Sequence, residues 1–307
     1  MRAPDDVLVH HPMVRELLTK CRFPVAPVLR CAVSGGPDSM ALLALAVASG
    51  AQVEAHHVHH HLRADADDDV VIIRRFADAH TVPVIEHHVA VAPGPNLEAR
   101  ARDARYGALP GDALTGHTAD DRAETMLINL MRGAAASGLS SMQHERRPLL
   151  ALRRRDTHDL CAALGIAVVS DTMNDDPRFQ RTRVRGELVP LLNDIAGRDV
   201  VPILVRQSEI MKDDERLLDE LAATIDPTDA RSVRDAPRPL ACRALRRWLA
   251  SPYPPDVATI ERVLAVARGE AKACDIGAGR SVRRSQQRLT IVTSHGDDPG
   301  SGDENVV

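Results

Sequence analysis

Aromatic residues are nearly absent from this sequence, which has one Trp, two Tyr and three Phe among its 307 residues. Proteins that read single-stranded nucleic acid on a sheet stack successive bases on Phe and Tyr side chains. A sequence with 2% aromatic residues cannot supply such a platform. Any contact with nucleic acid must therefore depend on charge and shape.

Cysteine is scarce and scattered. The five cysteines are odd in number, and no two have the C-x-x-C spacing: Cys21, Cys31, Cys161, Cys242 and Cys274. This pattern argues against a disulfide framework, a zinc ribbon and an iron–sulfur site. We expect reduced, mostly structural thiols and no zinc.

Long hydrophobic runs are also missing, since no apolar stretch approaches the roughly 20 residues that a helix needs to cross a bilayer. The first residues, MRAPDDVLVHH, lack the charged, apolar and then small-residue order of a secretory signal. We therefore expect a cytoplasmic protein without a membrane partner. With 44% hydrophobic and 27% charged residues, the chain is expected to bury a sizeable core in one large or two modest domains.

Positive charge comes almost wholly from arginine, because lysine occurs only at positions 20, 212 and 272. The formal net charge is −4, yet residues 231–290 contain thirteen basic and five acidic residues. A basic region in an acidic chain is typical of a surface that follows a polyanion. We interpret the run Arg153–Arg155 as a solvated helix face, with contact to nucleic acid as an equal alternative.

Strand and helix patterns alternate along the first two thirds of the chain, which predicts a doubly wound parallel sheet covered by helices, an α/β fold. The predicted strands are Val28–Val33, Gln52–Val58, Val82–His88, Ala113–Thr115 and Ile166–Val169. The first predicted helix begins at Ser39 and ends at Gly50. The later predicted helices are Asp65–His80, Asn96–Leu109, Asp120–Met131 and Arg153–Leu164.

The composition turns wholly helical from Glu187 to Ala223, which predicts a helical linker after the sheet domain. We assign residues 1–215 to the sheet domain, residues 216–292 to a small, basic, mostly α domain, and residues 293–307 to a disordered tail. In the small domain we expect helices at Leu240–Ala250 and Val257–Ala267, followed by a hairpin over 286–292.

The strongest chemical signal is the segment that follows the first strand, called the glycine loop below: Ser34-Gly35-Gly36-Pro37-Asp38-Ser39. Two glycines let the backbone approach a ligand, and N–H groups at a helix N-terminus favour an anion. The loop has neither the G-x-x-x-x-G-K-[ST] nor the G-x-G-x-x-G pattern. Asp38 beside phosphates implies an intervening cation, so Mg²⁺ is predicted there. The alternative is an ordinary capped turn.

A second signal is the segment 116–125, with the sequence GHTADDRAET. Asp121 and Glu124 are three residues apart and therefore share one helix face, in the first turn where the helix dipole suits acidic residues. Such a pair is able to hold Mg²⁺ or to orient an amine. Alone, the segment is equally compatible with a well-capped acidic helix start.

These motifs resemble those of the tRNA(Ile)-lysidine synthase family of ATP-pyrophosphatases. The glycine loop is similar to the SGGxDS that several such enzymes share, and 116–125 is similar to the family's GHHxDDQAET. Residues 57–63 resemble the family's HVDHGLR, and residues 96–106 resemble its E-x-x-A-R-x-x-R-Y. Further along the chain, residues 147–150 match RPLL, and residues 171–185 are similar to D-x-x-N-x-D…R-N-x-x-R.

The resemblance implies that ATP and Mg²⁺ are used to adenylate O2 of the wobble cytidine in an isoleucine tRNA with a CAU anticodon. Free L-lysine then displaces AMP to give lysidine. Asp38, Asp121, Glu124 and Arg185 are the implied catalytic residues, with ATP on the glycine loop and Mg²⁺ on Asp38 and Glu124. Predicted tRNA contacts are Arg181, Arg183, Arg243, Arg246 and Arg247. A monomer and a homodimer both stay open.

The sequence departs from the family pattern at His59, His61, Thr118, Arg122 and Thr182. These substitutions leave Asp38, Asp121 and Glu124 in place. The histidine run between His56 and His61 is not spaced for a metal, and we interpret it as a solvated strand end.

Three other functions share the loop class. A tRNA thiolase would normally need a pair or cluster of cysteines, which the scattered cysteines disfavour. An amidotransferase synthetase would need a glutaminase partner domain, and none is visible. A nucleotide sensor would bind ATP without turnover, so release of pyrophosphate separates it from an enzyme.

Overall fold

The computed structural model describes residues 4–59, 66–90, 97–140, 142, 144–169 and 178–293. The chain divides into two compact units, Met1–Lys212 and Asp213–Val307. Within the described ranges, no helix is long and apolar enough to cross a membrane. The predicted tail lies outside the described residues apart from Thr293.

The first unit contains a parallel sheet of three strands, β1 (Val28–Ala32), β2 (Gln52–His59) and β3 (Val84–His88). Strand β1 pairs with β2, which pairs with β3. On the other edge of β1, Leu114 forms a parallel bridge with Cys31. The chain therefore winds from β1 to β3 in one direction and then returns to the opposite side of β1. This reversal is the switch point at which open α/β sheets bind their ligands.

Helices precede, connect and follow these strands along the chain. They are α1 (Pro4–His10), α2 (Pro12–Lys20), α3 (Pro37–Ala48), α4 (Ala66–Ala79), α5 (Leu97–Ala108), α6 (Ala119–Met131), α7 (Ala136–Leu139), α8 (Arg154–Ala163), α9 (Gln180–Arg183), α10 (Val189–Ala196) and α11 (Val201–Ala223). Helix α3 is apolar on all sides because it lies in the centre of the core, with every side chain from Met40 to Ala46 buried. This buried helix fixes the glycine loop that precedes it.

The structure confirms the predicted fold class and most of the predicted elements. Two strand predictions are wrong in the first unit. At Ala113–Thr115 only Leu114 pairs with β1, as an isolated bridge, because the N–H of Thr115 donates to the carbonyl of Arg146 (2.8 Å) instead of to the sheet. Residues 166–169 form no strand, because the N–H of Val169 donates to the carbonyl of Gly35 (2.9 Å) instead of to a sheet neighbour.

The described part of the second unit begins within α11 and contains α12 (Ala230–Asp235), α13 (Arg238–Trp248) and α14 (Val257–Arg268), with an antiparallel sheet of β4 (Ala273–Gly277), β5 (Arg280–Ser285) and β6 (Arg288–Thr293). The predicted hairpin over 286–292 is confirmed in part: Gln286 and Gln287 form its turn at positive φ and residues 288–292 lie in β6, but the partner strand β5 was not predicted. Strand β4 was not predicted, since its pattern is weakly apolar. The core of this unit includes Leu245, Val263, Val282 and Leu289.

Candidate functional site

Two serines fix the shape of the glycine loop at the end of β1. The hydroxyl of Ser39 donates to the Gly36 carbonyl (2.9 Å) and accepts the Ser34 N–H (3.1 Å). Gly35 has a φ of +79°, and a Cβ there would lie 2.7 Å from Cγ2 of Val169. Pro37 begins α3, so the loop forms the N-terminus of a helix, where the first N–H groups have no partner within the helix. The loop is therefore shaped to receive an anionic group.

Gly116 brings the second motif against this loop. A Cβ at Gly116 would lie 2.5 Å from the carbonyl oxygen of Asp38. Only glycine permits this approach of two backbones. The two motifs that the sequence presents separately are thus adjacent at the switch point of the sheet.

Helix α6 starts with a capping box that orients Asp121. The backbone N–H and the hydroxyl of Thr118 both donate to Oδ2 of Asp121, at 2.8 and 2.9 Å. Asp121 and Glu124 are both buried, and Glu124 is only 2% exposed. Thr118, which departs from the family pattern, therefore caps the helix and holds a candidate site residue.

Arg154, the first residue of α8, joins the carboxylates of the two motifs. Its guanidinium donates to Oε1 of Glu124 (2.9 Å) and Oδ1 of Asp121 (3.0 Å), and its Nε lies 3.6 Å from Oδ2 of Asp38. Its backbone N–H donates to Asp120 (2.7 Å), which fixes the start of α8 beside α6. Asp38, Asp121 and Glu124 are therefore brought together around one cation.

Arg154 was not predicted as a site residue. The interpretation of Arg153–Arg155 as a solvated face is wrong for Arg154, whose side chain is 19% exposed, and for Arg153, which pairs with Asp120 and Asp199. It is correct for Arg155, which is 71% exposed. In the sequence, the apolar residues Leu149, Leu150 and Leu152 directly precede the run, and the structure shows that all three are buried. This apolar segment is a signal that the first residues of the run lie near the core.

Burial and neighbouring charges move the pKa values of this cluster in different directions. The pKa of Asp38 is raised, mainly by burial and also by the negative charge of Asp121. A hydrogen bond from Thr157 and the positive charge of Arg154 lower this pKa but do not outweigh burial. Burial also acts to raise the pKa of Asp121, but Arg154 and His117 outweigh it, so this pKa is lowered. The three carboxylates raise the pKa of Arg154 against the opposing effect of burial. Asp121 and Arg154 are therefore a charged pair.

Glu124 is surrounded by arginines. Besides Arg154, it accepts hydrogen bonds from Arg185 at 2.9 and 3.3 Å, and Nε of Arg181 lies 3.2 Å from its Oε2. Arg181 also donates to the hydroxyl of Thr125 (2.7 Å). Predicted site residues Arg181 and Arg185 therefore belong to the same cluster as Glu124.

The oxygen atoms of the cluster bear on where Mg²⁺ would bind. Magnesium usually takes one or two protein carboxylates together with substrate phosphates. Asp38 fits this role, because among the described residues its Oδ2 has no partner closer than the 3.6 Å ion pair with Arg154. Both oxygens of Glu124 accept from guanidinium groups, so a metal there would have to displace an arginine. Among the described residues, no group of three His, Cys, Asp or Glu side chains is arranged to hold a metal.

The other predicted tRNA residues lie outside this cluster. Arg183 is exposed on α9 and pairs with Glu187 (2.8 Å). In the second unit, Arg243 pairs with Glu215 and Asp219, whereas Arg246 and Arg247 are exposed on α13. The structure thus separates Arg243, which is engaged in ion pairs, from the two arginines that are open to solvent.

The histidines of β2 are buried, so their interpretation as a solvated strand end is wrong. His57 Nδ1 lies 2.8 Å from the carbonyl of Val33, directly before the glycine loop, and His59 Nε2 lies 3.0 Å from Glu86. His56 stacks on His87 of β3. The neighbouring strands cover these rings, which sequence alternation alone did not reveal. His60 and His61 lie outside the described residues.

Arg122, another departure from the family pattern, binds helix α11. Its side chain is 2% exposed, and it donates to Ser208 (3.2 Å) and Glu209 (3.0 Å) on α11. It therefore holds α6 against α11.

The fold, the glycine loop and the adjoining carboxylates define an enzyme class with a PP-loop domain, and residues 12–192 match the family model of that description. A tRNA(Ile)-lysidine synthase of Nocardia farcinica is 37% identical over 295 residues, covering 87% of this chain and 92% of that protein. One of Thermobifida fusca is 34% identical over 293 residues, covering 86% and 89%. The chain belongs to the tRNA(Ile)-lysidine synthase family.

A solved structure, the U34-tRNA thiolase of Methanococcus maripaludis with its [4Fe-4S] cluster, has the same fold. Its TM-score is 0.50 at 15% identity, and the match covers 65% of this chain and 78% of that one. Burial raises the pKa of each cysteine in the first unit of the present chain to about 12: Cys21, Cys31 and Cys161.

Proposed function

We propose that this protein is a tRNA(Ile)-lysidine synthase, which uses ATP to join L-lysine to the wobble cytidine of an isoleucine tRNA with a CAU anticodon. The observation that carries the proposal is the meeting of the glycine loop with Asp38, Asp121 and Glu124 at one switch point, in a chain of this family. On this proposal, the nucleotide and the amine would bind next to each other.

The reaction has two steps. O2 of the cytidine attacks the α-phosphorus of ATP, and pyrophosphate leaves. The ε-ammonium group of lysine then gives one proton to a carboxylate of the cluster, the free amine attacks C2, a second proton passes from the nitrogen to solvent, and AMP departs with the former O2. Oxygen becomes a good leaving group only as part of AMP, so activation must come first. The cluster has to stabilise negative charge on phosphate in both steps and to place the amine in the second.

The glycine loop would bind the phosphates of ATP through its N–H groups and the hydroxyls of Ser34 and Ser39. Asp38 would hold Mg²⁺, which when bound offsets the charge of the departing pyrophosphate. Arg185 and Arg181 would stabilise phosphate charge, since guanidinium groups bind phosphate oxygens in pairs.

Asp121 and Glu124 would bind the ammonium group of lysine. Both are buried, and the lowered pKa of Asp121 keeps its carboxylate charged. Charge-assisted hydrogen bonds from an ammonium group to these carboxylates would favour lysine over amino acids with a neutral side chain. A role for Glu124 as a ligand of Mg²⁺ stays a prediction, as do the cytoplasmic location and the homodimer.

The tRNA would present its cytidine out of the anticodon stack, since the reacting atoms have to reach the switch point. Arg246 and Arg247 supply exposed positive charge for the RNA backbone.

The test is ATP-dependent incorporation of labelled lysine into an isoleucine tRNA transcript with a CAU anticodon. We expect the wild type to incorporate lysine and release pyrophosphate, and Asp38→Asn to lose about 10²–10³-fold in kcat/KM for ATP. Asp112→Asn is the matched control, because Asp112 pairs with Arg30 away from the cluster (2.7 Å) and should leave turnover unchanged. Pyrophosphate release without lysine in the tRNA would refute the substrate, and no pyrophosphate release would refute the enzyme class.

A further inference from the structure

The guanidinium group of Arg154 is shared by carboxylates that the proposed reaction divides between two substrates. Asp38 belongs to the glycine loop, where ATP would bind, and lies 3.6 Å from Nε of Arg154. Asp121 and Glu124 belong to α6, where lysine would bind, and accept from the two terminal nitrogens at 3.0 and 2.9 Å. One side chain therefore touches both halves of the site.

The ammonium group of lysine needs oxygen atoms that Arg154 uses. Oδ1 of Asp121 and Oε1 of Glu124 each accept from Arg154, so full binding of the ammonium group competes with these two bonds. Phosphate oxygens at the glycine loop compete in the opposite sense, because they attract the same guanidinium group away from the carboxylates. ATP would thus draw the guanidinium group away from the carboxylates that lysine needs. Lysine would in turn displace the guanidinium group from these carboxylates and leave it free for the phosphates.

The other two arginines of the cluster do not link the halves in this way. Arg181 and Arg185 both reach Glu124, and Arg181 also reaches Thr125. Among the bonds and ion pairs found for the described residues, neither has one to the glycine loop. The connection between Asp38 and α6 is made by Arg154.

We propose that Arg154 couples ATP binding to lysine binding, so that each substrate raises the affinity of the site for the other. This inference rests on the proposed function and adds a positioning residue to it. By thermodynamic linkage the coupling is reciprocal, and one competing guanidinium group accounts for an effect of about tenfold.

The test is the affinity of the full chain for L-lysine, measured by calorimetry with the isoleucine tRNA transcript present. Each titration is made with and without α,β-methylene-ATP and MgCl₂, which allow binding without turnover. For the wild type we expect the nucleotide to tighten lysine binding about tenfold. For Arg154→Met we expect the same affinity with and without nucleotide, and about tenfold tighter binding than the wild type when nucleotide is left out.

The direction of the last change separates coupling from a structural role. A variant with a damaged site binds lysine more weakly, whereas removal of a competitor makes binding tighter. Arg153→Met is the matched control, because the neighbouring side chain pairs with Asp120 and Asp199 and should leave the nucleotide effect intact.

The proposal is overturned if Arg154→Met retains the nucleotide effect, if it binds lysine more weakly than the wild type without nucleotide, or if the wild type shows no effect. Failure of the proposed function is seen separately, as a wild type that incorporates no lysine in the turnover assay.

Discussion

Gly116→Ala tests whether the approach of the two motifs at the switch point is essential. The added Cβ would lie 2.5 Å from the carbonyl oxygen of Asp38 and 2.8 Å from its carbonyl carbon. An ordinary contact begins at 3.4 Å, so the two backbones must separate by about 0.9 Å. Both contacts are to backbone, and rotation of a side chain cannot relieve them. A misplacement of about 1 Å near reacting groups costs about 100-fold in rate, and overpacking costs about 1–3 kcal/mol in stability.

The assays are kcat/KM for ATP in lysine incorporation and the free energy of unfolding in urea. We expect Gly116→Ala to lose about 100-fold in the first and about 1–3 kcal/mol in the second. Gly107→Ala is the matched control, because it lies in α5 with no atom within 4 Å of the added Cβ and should leave both values close to those of the wild type or slightly raise stability. Equal activity of the two variants would refute the steric argument.

Two further predictions concern the loop carboxylate and the exposed arginines. The hydroxyl of Thr157 donates to Asp38 and lowers its pKa, so Thr157→Val should raise that pKa and move the acid limb of the kcat/KM profile for ATP to higher pH. Thr157→Ser keeps the hydroxyl donor and should leave the acid limb of the profile in place. Identical pH profiles for the wild type, Thr157→Val and Thr157→Ser would contradict a role of this hydrogen bond in setting the pKa of Asp38. The double substitution Arg246→Gln and Arg247→Gln should weaken tRNA binding. It should also reduce the slope of the logarithm of the tRNA binding constant against the logarithm of salt concentration by about two. Arg243→Gln should change this slope less than substitution of one exposed arginine, because Arg243 is paired with Glu215 and Asp219. An equal change in slope would contradict the separation of paired from exposed arginines.

The parts of the site that the sequence predicts are those whose chemistry is local. The glycine loop is read from six consecutive residues, and the Asp121–Glu124 pair from helical spacing within one turn. The fold class follows from alternating strand and helix patterns, which the structure confirms in β1, β2 and β3 and in the intervening helices. Each of these inferences depends only on neighbours in the chain.

The parts that sequence analysis misses depend on contacts between distant segments. Arg153, Arg154 and Arg155 are identical in sequence terms, yet only Arg154 faces Asp38, which is 116 positions away along the chain. The histidines of β2 were interpreted as solvated because polar residues at a strand end usually are, but β3 covers them with His87 and His88. Burial by a neighbouring strand is a property of the sheet and cannot be derived from the pattern of one strand.

The departures from the family pattern become understandable from the same contacts. Thr118 caps α6 and directs both of its donors to Asp121, so a residue other than histidine still positions that carboxylate. Arg122 donates to Ser208 and Glu209 and contributes to holding α6 in place. Both substitutions therefore act on the placement of α6 and leave the acceptor atoms of Asp121 and Glu124 that face Arg154 unchanged. The chemistry of the site depends on where α6 lies relative to the glycine loop, and different side chains are able to fix that position.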